Sequence, residues 1–582
     1  GEAYDRNVRA RLMGLVGMLA VVAAACGATD PGVSATQSRL SDGDGQLFPT
    51  DTTVAGDDPA PVEPTYDIIP GVVDFGADKP AQPYDGFLTA AFGDIQAFWN
   101  DAFVESYGAT FEPLSGGIYA AYPTRQEAIP GCGTPTGSTY EDVASLGAFY
   151  CIEGDFMAYD DDSLLPSLVN DLGKEAVAVV LAHEFGHAVQ ARAKEWDQPG
   201  VLKEQQADCF AGAWSAHVAS GGSDLIVFDD ADVRSGLVAM INVRDPIEGD
   251  GLADPQAHGT GFDRVGAFQD GFEGGVLRCK TFFTEDRISA MVNILFDRED
   301  PNAGNLPLID ANPDPDLGPS DIVTLIPASL EFFWTDLAAA NGVPFTPPTL
   351  QAYSTAGPFP SCAGVDEQQY PRNVLFCAAD NVIYWDQDFA LELSQDLLTG
   401  DMSVGYLFSN AFSDAIQTAL RSQKTGEPRA LFNDCLTGAW VAYIVPPIPE
   451  TREDTLQLSA GDLDEAVITA IARSDASSDT NVSGSAFEKI DAFRTGVLGG
   501  LIIRRPGAAL YTETVAAVIS ALVGNAWGPL TIASGLVQGL GAEIVFLVFL
   551  YKVWTLPVAL LAGAASGLAL SLIHISEPTR PY

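Results

Sequence analysis

The sequence is poor in basic side chains and in histidine. Lys and Arg number 29 among 582 residues against 78 Asp and Glu, which gives a formal net charge of −49. Binding to nucleic acid or to an anionic membrane surface needs a basic patch, so this balance argues against both kinds of partner. The chain has only five histidines. A metal site built on imidazole must therefore use a few defined positions.

The N-terminal apolar run is too short for a comfortable membrane span. The run LMGLVGMLAVVAAA follows three arginines and precedes Cys26. A basic segment, a short apolar segment and small residues before a cleavage site are typical of a secretory signal, which we predict for residues 1–26. The sequence AAAC resembles a bacterial lipobox, which implies a lipid on Cys26. An ordinary signal peptide cleaved near Ala25 is the alternative.

Two segments rich in Asp and Pro divide the rest of the chain. Residues 27–85 are predicted to be a disordered acidic tether, and residues 297–320 a linker. The folded regions, 86–296 and 321–497, repeat one another. Matching segments in the same order are AFWNDAF and FFWTDLA, YCIEGDFMAYD and FCAADNVIYWD, ADCFAGAW and NDCLTGAW, and HGTGFDRVGAF and SGSAFEKIDAF. We interpret this repetition as a tandem duplication of one domain.

The cysteines follow the repeat. An exported protein can keep disulfides, and matching loops of the two regions are each flanked by two cysteines. The predicted pairs are Cys132 with Cys151, Cys362 with Cys377, and Cys209 with Cys279. Cys435 matches Cys209 but lacks a later partner in its own region, so we predict that it is free. Reduced thiols in a core are the alternative for the whole set.

The segment LAHEFGHAVQ contains the candidate metal-site residues His183, Glu184 and His187. Residues 175–195 contain no proline and many helix-forming residues, which predicts one largely buried helix. Positions i and i+4 lie on one face of a helix, so His183 and His187 can bind one ion. Neutral imidazoles are good zinc ligands. Glu184 lies beside the open coordination position, where it can take a proton from water.

The segment KEQQADCFAG supplies the third ligand that a catalytic zinc site needs. Glu204 lies 17 residues after His187, which is enough for a turn and a returning helix. Asp208 lies four residues later on the same helical face, where its carboxylate can accept the free ring N–H of a ligand histidine. A buried helix with two core histidines and a capping acid is the alternative, but unpaired buried carboxylates would be costly there.

Together, LAHEFGHAVQ, EQQADCFAGAW and HGTGFDRVGAFQDGFEGG resemble the bacterial family of neutral zinc metallopeptidases, over residues 86–285. The resemblance implies a mainly α (α+β), zincin-like domain. It also implies zinc bound by His183, His187 and Glu204, with Glu184 as the base. His258 is then a candidate for stabilising the tetrahedral oxyanion. A helix cap or a loop hydrogen bond is the alternative role for His258.

The second region lacks every one of these groups. Alignment places Asn410 opposite His183, Ala411 opposite Glu184, Asp414 opposite His187 and Ala430 opposite Glu204. Asp434 and the GAW sequence after it remain. Two oxygen side chains are too few for a cation site. We therefore expect a degenerate domain that packs on the first, or that binds a peptide or partner without cutting it.

Apolar runs dominate residues 498–569, and their lengths fit two or three transmembrane helices with small residues at their contacts. The stretch from GGLIIRRPG to GAEIVF resembles part of the substrate-capture membrane subunit of energy-coupling-factor vitamin transporters of the thiamine-related type. Residues 570–582 resemble the translation of a sequencing-library adapter, and His574 then has no function. The C-terminal part is either a natural fusion or the product of chimeric assembly.

These observations predict an exported zinc metallopeptidase with a non-catalytic second copy. Its partners would be a peptide or protein substrate and a membrane, reached through lipidated Cys26 and the C-terminal helices. It would then lie at the bacterial cell envelope, on the outer face of the cytoplasmic membrane. A non-catalytic zinc-binding scaffold lipoprotein and a transport-associated membrane protein are the alternatives.

Overall fold

The computed structural model describes residues 66–243 except 135, 258–284, 304–311, 319–446 except 397 and 398, 456–475 and 482–502, with isolated positions at 287, 291 and between 536 and 565. The predicted signal and lipidation site, most of the C-terminal apolar region and the adapter-like tail lie outside these residues.

The first half is mainly helical with a small sheet. Its helices are α1 (Asp85–Tyr107), α2 (Tyr140–Ala144), α3 (Leu164–Leu172), α4 (Lys174–Ala193), α5 (Gly200–Ala219), α6 (Asp230–Asn242) and α7 (Gly261–Cys279, with a kink at Gly275). Its strands are β1 (Gly117–Ala121), β2 (Ala148–Cys151) and β3 (Phe156–Asp160). This composition is consistent with a zincin-like domain.

The sheet of the first half has the order β1-β3-β2. β1 runs parallel to β3, and β2 runs antiparallel to it, so β2 has an open edge among the described strands. The predicted disulfide between Cys132 and Cys151 ties the end of β2 to the preceding loop. Helix α4 packs against β2.

The second half has the same kind of sheet. Its strands are β4 (Thr349–Tyr353), β5 (Val374–Cys377) and β6 (Val382–Asp386), in the order β4-β6-β5 with the same strand directions. Its helices are α8 (Ile322–Ala340), α9 (Gln387–Gln395), α10 (Asp401–Ala419), α11 (Glu427–Ile444), α12 (Asp462–Ala472) and α13 (Ala486–Ile502). A disulfide joins Cys362 to Cys377 in the loop that matches the first.

Two glycines let the helices of the first core approach closely. A Cβ atom on Gly212 of α5 would overlap the carbonyl oxygen of Phe268, and one on Gly271 of α7 would overlap the carbonyl oxygen of Cys209. The disulfide between Cys209 and Cys279 joins the same two helices. In the second half, Gly438 and Gly496 make the same reciprocal approach between α11 and α13.

The two halves pack through α6, α7, α12 and α13. The ring of Phe487 lies 4.5 Å from that of Phe272. The guanidinium of Arg494 lies over the ring of Phe262 and donates a hydrogen bond of 2.6 Å to its carbonyl oxygen. Asp464 of α12 accepts a hydrogen bond of 2.8 Å from the backbone N–H of Phe262. Helix α7, which follows His258, is therefore held by both halves.

The structure moves two predicted boundaries. Residues 66–85 were expected to be tether, but Val73 is buried and Asp74 bridges to β1, so they belong to the first half. Residues 304–311 were expected to be linker, but Leu306 and Leu308 join the core. Both segments supply apolar side chains that cover the ends of the helices.

The prediction of a free thiol at Cys435 is wrong. Cys435 is disulfide-bonded, and no cysteine of the described residues is free. The prediction assumed that the cysteines of each region pair only with one another. Disulfides depend on which residues meet in the folded chain, and a sequence repeat does not limit those contacts.

One helix within the described residues is long and apolar enough to cross a membrane, Ile322–Ala339 in α8. It lies outside the region 498–569 where membrane helices were predicted. Its Trp334 is fully buried and belongs to the protein core, so length and composition alone are weak support for a span.

Replacing Gly212 by Ala should destabilise the first half. The added methyl group has no space at the α5–α7 crossing, and overpacking of this kind lowers the free energy of unfolding by about 1–3 kcal/mol. Urea unfolding followed by circular dichroism measures it. Gly93→Ala in α1 is the matched control, because the nearest atom to its Cβ is 3.4 Å away and the helix should gain stability. Equal effects of the two changes would contradict the close crossing.

Candidate metal centre

Helix α4 places two imidazoles on one buried face. Its sequence from Lys174 to Ala193 has no proline, and alanine and valine fill the turns that pack in the core. His183 and His187 are one turn apart, and both are buried. Their ring centroids are 5.0 Å apart, and the rings are almost perpendicular. The two Nε2 atoms therefore approach one space from different directions.

Glu204, in the first turns of α5, completes the group. Its Oε2 lies 3.2 Å from Nε2 of His183 and 3.4 Å from Nε2 of His187. This oxygen is buried and accepts no hydrogen bond. Zinc bonds of about 2.0–2.2 Å in a tetrahedral site separate the ligand atoms by roughly 3.3–3.5 Å. Two nitrogens and an orphaned oxygen at these distances fit a zinc ion.

A buried carboxylate fixes the ring of His183. Oδ1 of Asp208 lies 2.6 Å from Nδ1, so the ring N–H points away from the ligand group and Nε2 faces it. Arg264 of α7 donates to both oxygens of Asp208, at 2.9 Å from Nε and 2.7 Å from a terminal nitrogen. All three side chains are buried. The Arg264–Asp208 pair thus orients the imidazole and joins α4, α5 and α7.

The other imidazole is held by an amide. Nδ1 of His187 lies 3.0 Å from Oε1 of Gln190, whose amide nitrogen donates to the carbonyl oxygen of Lys203 at 2.7 Å. The ring of Trp196 packs edge-on to His187 with centroids 6.1 Å apart. His187 therefore has its own second partner, which also connects α4 to the start of α5.

Electrostatics follow from these contacts. Burial works to lower the pKa of His183, but the carboxylate of Asp208 outweighs it and raises the pKa to about 10. Burial works to raise the pKa of Glu204, yet the two imidazoles hold it well below its usual range. The pKa of Asp208 is also low, because Arg264 and His183 outweigh its burial. The group therefore places ionised carboxylate oxygens beside imidazoles that hold protons. A divalent cation that binds to these atoms would replace the imidazole protons.

Two further groups flank the ligand atoms. Oε1 of Glu184 lies 4.0 Å from Nε2 of His183, and burial raises the pKa of this carboxyl. His258, just before α7, has its Nε2 at 3.7 Å from Oε2 of Glu204 and a side chain that is 46% exposed. All the residues named in the sequence as ligands, base, oxyanion donor and ligand support are thus brought together at one place.

The matching place in the second half is a cavity of about 270 Å³. It is lined by Asn410, Asp414, Ala430 and Ser483, which align with His183, His187, Glu204 and His258. Asp414 pairs with Arg429 at 2.7 Å, and Asn410 donates to Thr437. Among the described residues that line this cavity there is no His, Cys or Glu, so it does not contain the donor set of the first half.

The support beneath that cavity persists. Asp434 is fully buried and pairs with Lys489 at 2.7 Å, and it accepts a hydrogen bond from the hydroxyl of Tyr406. Lys489 stands where the repeat places Arg264, and Asp434 where it places Asp208. The second half thus contains a similar buried acid–base pair.

Sequence reasoning missed Arg264, Gln190 and Trp196. Gln190 and Arg264 both stand inside the motifs quoted above, and Arg264 is matched by a lysine in the second copy. That repeated basic residue was the available signal. Trp196 follows the helix in a loop, where no spacing rule predicts a contact.

Family comparisons agree with this geometry. Residues 80–282 match the family described as "Putative neutral zinc metallopeptidase". Residues 493–569 match "ABC-type cobalt transport system, permease component". The chain is therefore similar to the first family over one segment and to the second over another, which confirms the two resemblances predicted from the sequence.

Individual relatives cover parts of the chain. YpfJ of Escherichia coli K12, named an uncharacterized protein, is 28% identical over 220 residues, which is 34% of this chain and 70% of YpfJ. Rv2575 of Mycobacterium tuberculosis H37Rv, also named uncharacterized, is 32% identical over 180 residues, 26% of this chain and 60% of that protein.

The C-terminal segment is similar to a different protein. The "Putative HMP/thiamine permease protein YkoE" of Bacillus subtilis 168 is 49% identical over 77 residues, 13% of this chain. The chain spans only 39% of the length of YkoE. No solved structure matches the chain.

Asp208→Asn should weaken zinc binding without removing a ligand. The amide cannot hold the His183 ring N–H as a carboxylate does, and loss of such a support costs about 10–100-fold in metal affinity. Competition with a chromophoric zinc chelator measures the Kd. Asp434→Asn, which breaks the matching pair in the second half, is the control and should leave the zinc Kd unchanged. Equal losses in both variants would show a general folding effect instead.

Proposed function

We propose that the first half of this chain is a zinc-dependent metallopeptidase that hydrolyses peptide bonds. The observation that carries the proposal is the convergence of Nε2 of His183, Nε2 of His187 and the orphaned Oε2 of Glu204 at tetrahedral spacing. When bound there, Zn²⁺ supplies a Lewis acid that lowers the pKa of water and polarises a carbonyl group. The match of residues 80–282 to a zinc metallopeptidase family supports the same reaction.

Glu184 is the proposed general base. Its carboxylate lies beside the ligand group without being part of it, and burial keeps its pKa above that of an exposed glutamate. A raised pKa makes the carboxylate a stronger base, so it accepts a proton from water more readily than an exposed glutamate does. Glu184 would take a proton from the attacking water and pass it to the leaving amine.

His258 is the proposed oxyanion donor. It is the most exposed of the three histidines at the site, and its Nε2 lies 3.7 Å from Oε2 of Glu204. A donor there could stabilise negative charge on the carbonyl oxygen as water adds. Asp208 and Arg264 act indirectly, because they fix the orientation of His183.

The open edge of β2 is the proposed seat of an extended substrate. Tyr150 of β2 packs on Trp196, which in turn packs on His187, so this edge borders the ligand group. An edge strand offers unpaired backbone groups that an extended peptide can bind. This mode recognises the main chain, so it favours unstructured segments over folded proteins.

The second half is proposed to be a degenerate copy of the first. The shared sheet order, the matching disulfide, the reciprocal glycines and the buried acid–base pair support a common origin. Its cavity, bordered by β5, would bind a peptide without cutting it or simply remain as part of the packing against α7.

Export to the cell envelope is proposed. A lipid on Cys26 stays a prediction from the sequence, and it competes with a disulfide to Cys435, because the other six cysteines pair with one another. Disulfides in both halves support an oxidising compartment. The permease-like segment supports membrane association. A transport function is less favoured, because that segment spans only 39% of the permease relative.

Glu184→Gln should abolish peptide hydrolysis while zinc stays bound. The amide cannot accept a proton, and loss of a general base costs about 10²–10⁴-fold in kcat/KM. Cleavage of an unfolded, fluorescently labelled protein measures activity, and metal analysis measures zinc. His187→Ala is the contrasting variant, which should lose both. If the wild-type protein binds zinc but cleaves no unfolded protein, the scaffold alternative is favoured.

His258→Gln should lower kcat by about 10²–10³-fold, the usual cost of removing one oxyanion donor. The zinc content should stay unchanged, because His258 is not among the three ligand groups. KM should change little, since the donor acts on charge that develops only in the transition state. A loss of zinc or a fall in thermal stability instead would favour a structural role for this histidine.

A further inference from the structure

Three buried carboxylates meet in the second half, away from its cavity. Asp401 begins α10, and Asp462 and Glu465 lie in the first turn of α12. One oxygen of each lies within 4.8 Å of the others, and all three side chains are buried. None of the three forms an ion pair within the described part of the chain.

The neighbouring donors satisfy only part of this group. The backbone N–H of Leu306 donates to Oδ2 of Asp401, and that of Met402 donates to Oε2 of Glu465, both at 2.9 Å. Ser459 donates to Asp462 through its N–H and its hydroxyl. Asp401 is 94% buried, yet its Oδ1 accepts no hydrogen bond. Like charges this close cannot all ionise without a compensating cation.

The first half shows what compensates at the matching position. The repeat that aligns Asn410 with His183 aligns Asp401 with Lys174, at the start of α4. There the ammonium of Lys174 lies 2.9 Å from Glu175. The second half has an acid at the position where the first half has this lysine, so no ammonium stands at the start of α10 to balance its three carboxylates.

We propose that Asp401, Asp462 and Glu465 bind a hard divalent cation such as Ca²⁺ or Mg²⁺. Oxygen-only ligands suit these ions and not zinc, which prefers the nitrogen-containing set of the first half. The side-chain amide of Asn305 donates a hydrogen bond to Glu465, and a rotation of that amide would turn its oxygen toward the ion instead. The site would clamp the starts of α10 and α12 to the segment 304–311.

The clamp reaches the first half through α12. Asp464 lies between two of the proposed ligands and accepts the hydrogen bond from the backbone N–H of Phe262, at the start of α7. His258 precedes that helix by three residues. A cation on the first turn of α12 would therefore steady the contact between the halves. This inference stands independently of the proposed peptidase function.

The test is a thermal-unfolding titration of the full chain in detergent, with Ca²⁺ and Mg²⁺ as separate arms. His187→Ala serves as the background, so that added ions cannot act by filling the zinc site. We expect a rise in Tm of roughly 3–6 °C at an ion concentration tenfold above Kd. Equilibrium dialysis with radioactive Ca²⁺ should count one Asp401-dependent ion per chain, and the arm with the larger effect identifies the ion.

Two variants decide whether the effect belongs to this cluster. Asp401→Asn should remove the ion-dependent rise in Tm. Asp401→Lys should also remove that rise, but its Tm should be close to that of the ion-loaded parent, because it introduces the lysine found at this position in the first half. Asp414→Asn, at the cavity, should respond like the parent. The proposal is overturned if neither ion raises Tm at roughly 10 mM, above the weakest usual Ca²⁺ sites. It is also overturned if Asp401→Asn responds to the ion as fully as the parent does. A third contrary result is that the parent binds no ion and Asp401→Asn is more stable than the parent without ions, which would mean that the three carboxyl groups share protons instead.

Discussion

The buried ion pair between Arg264 and Asp208 is the constraint on which the candidate site depends. It ties α7 to α5, and through the ring N–H of His183 it ties both to α4. A pair this deep contributes little net stability, because desolvation offsets the attraction, but removing one partner leaves an uncompensated charge. Its main effect is geometric, since the guanidinium fork admits one position of the carboxylate and hence one orientation of the imidazole.

The second half makes the same point by contrast. Asp434 and Lys489 form a buried pair like that of Asp208 and Arg264, and reciprocal glycines form a similar helix crossing. The residues that align with the three proposed zinc ligands are Asn410, Asp414 and Ala430. Removing one partner of a buried pair leaves an uncompensated charge, whereas a side chain that lines a cavity carries no such cost. The two halves therefore agree where the core imposes a constraint and differ at the candidate metal centre.

The strong excess of acid places a second constraint on the fold. With few basic residues available, one cation can serve two buried acids of the first half, as Lys79 pairs with both Asp85 and Asp161. The tricarboxylate group at the start of α10 and α12 lacks such a match. Electroneutrality inside a protein is demanding, so a chain with so few cations must recruit protons or ions where its own side chains fall short.

Much of the site could be predicted from the sequence because its parts are local. The i to i+4 spacing of His183 and His187, and of Glu204 and Asp208, fixes which side chains share a helical face, whatever the rest of the fold. The pairs Cys132–Cys151 and Cys362–Cys377 followed from matching loops in the two regions, and Cys209–Cys279 followed as the remaining pair in the first region. The sequence could not reveal the partner of Asp208, the pairing of Cys435 or the membership of residues 66–85 in the first half. Those depend on which surfaces meet across long separations, and only the packing of the helices decides that.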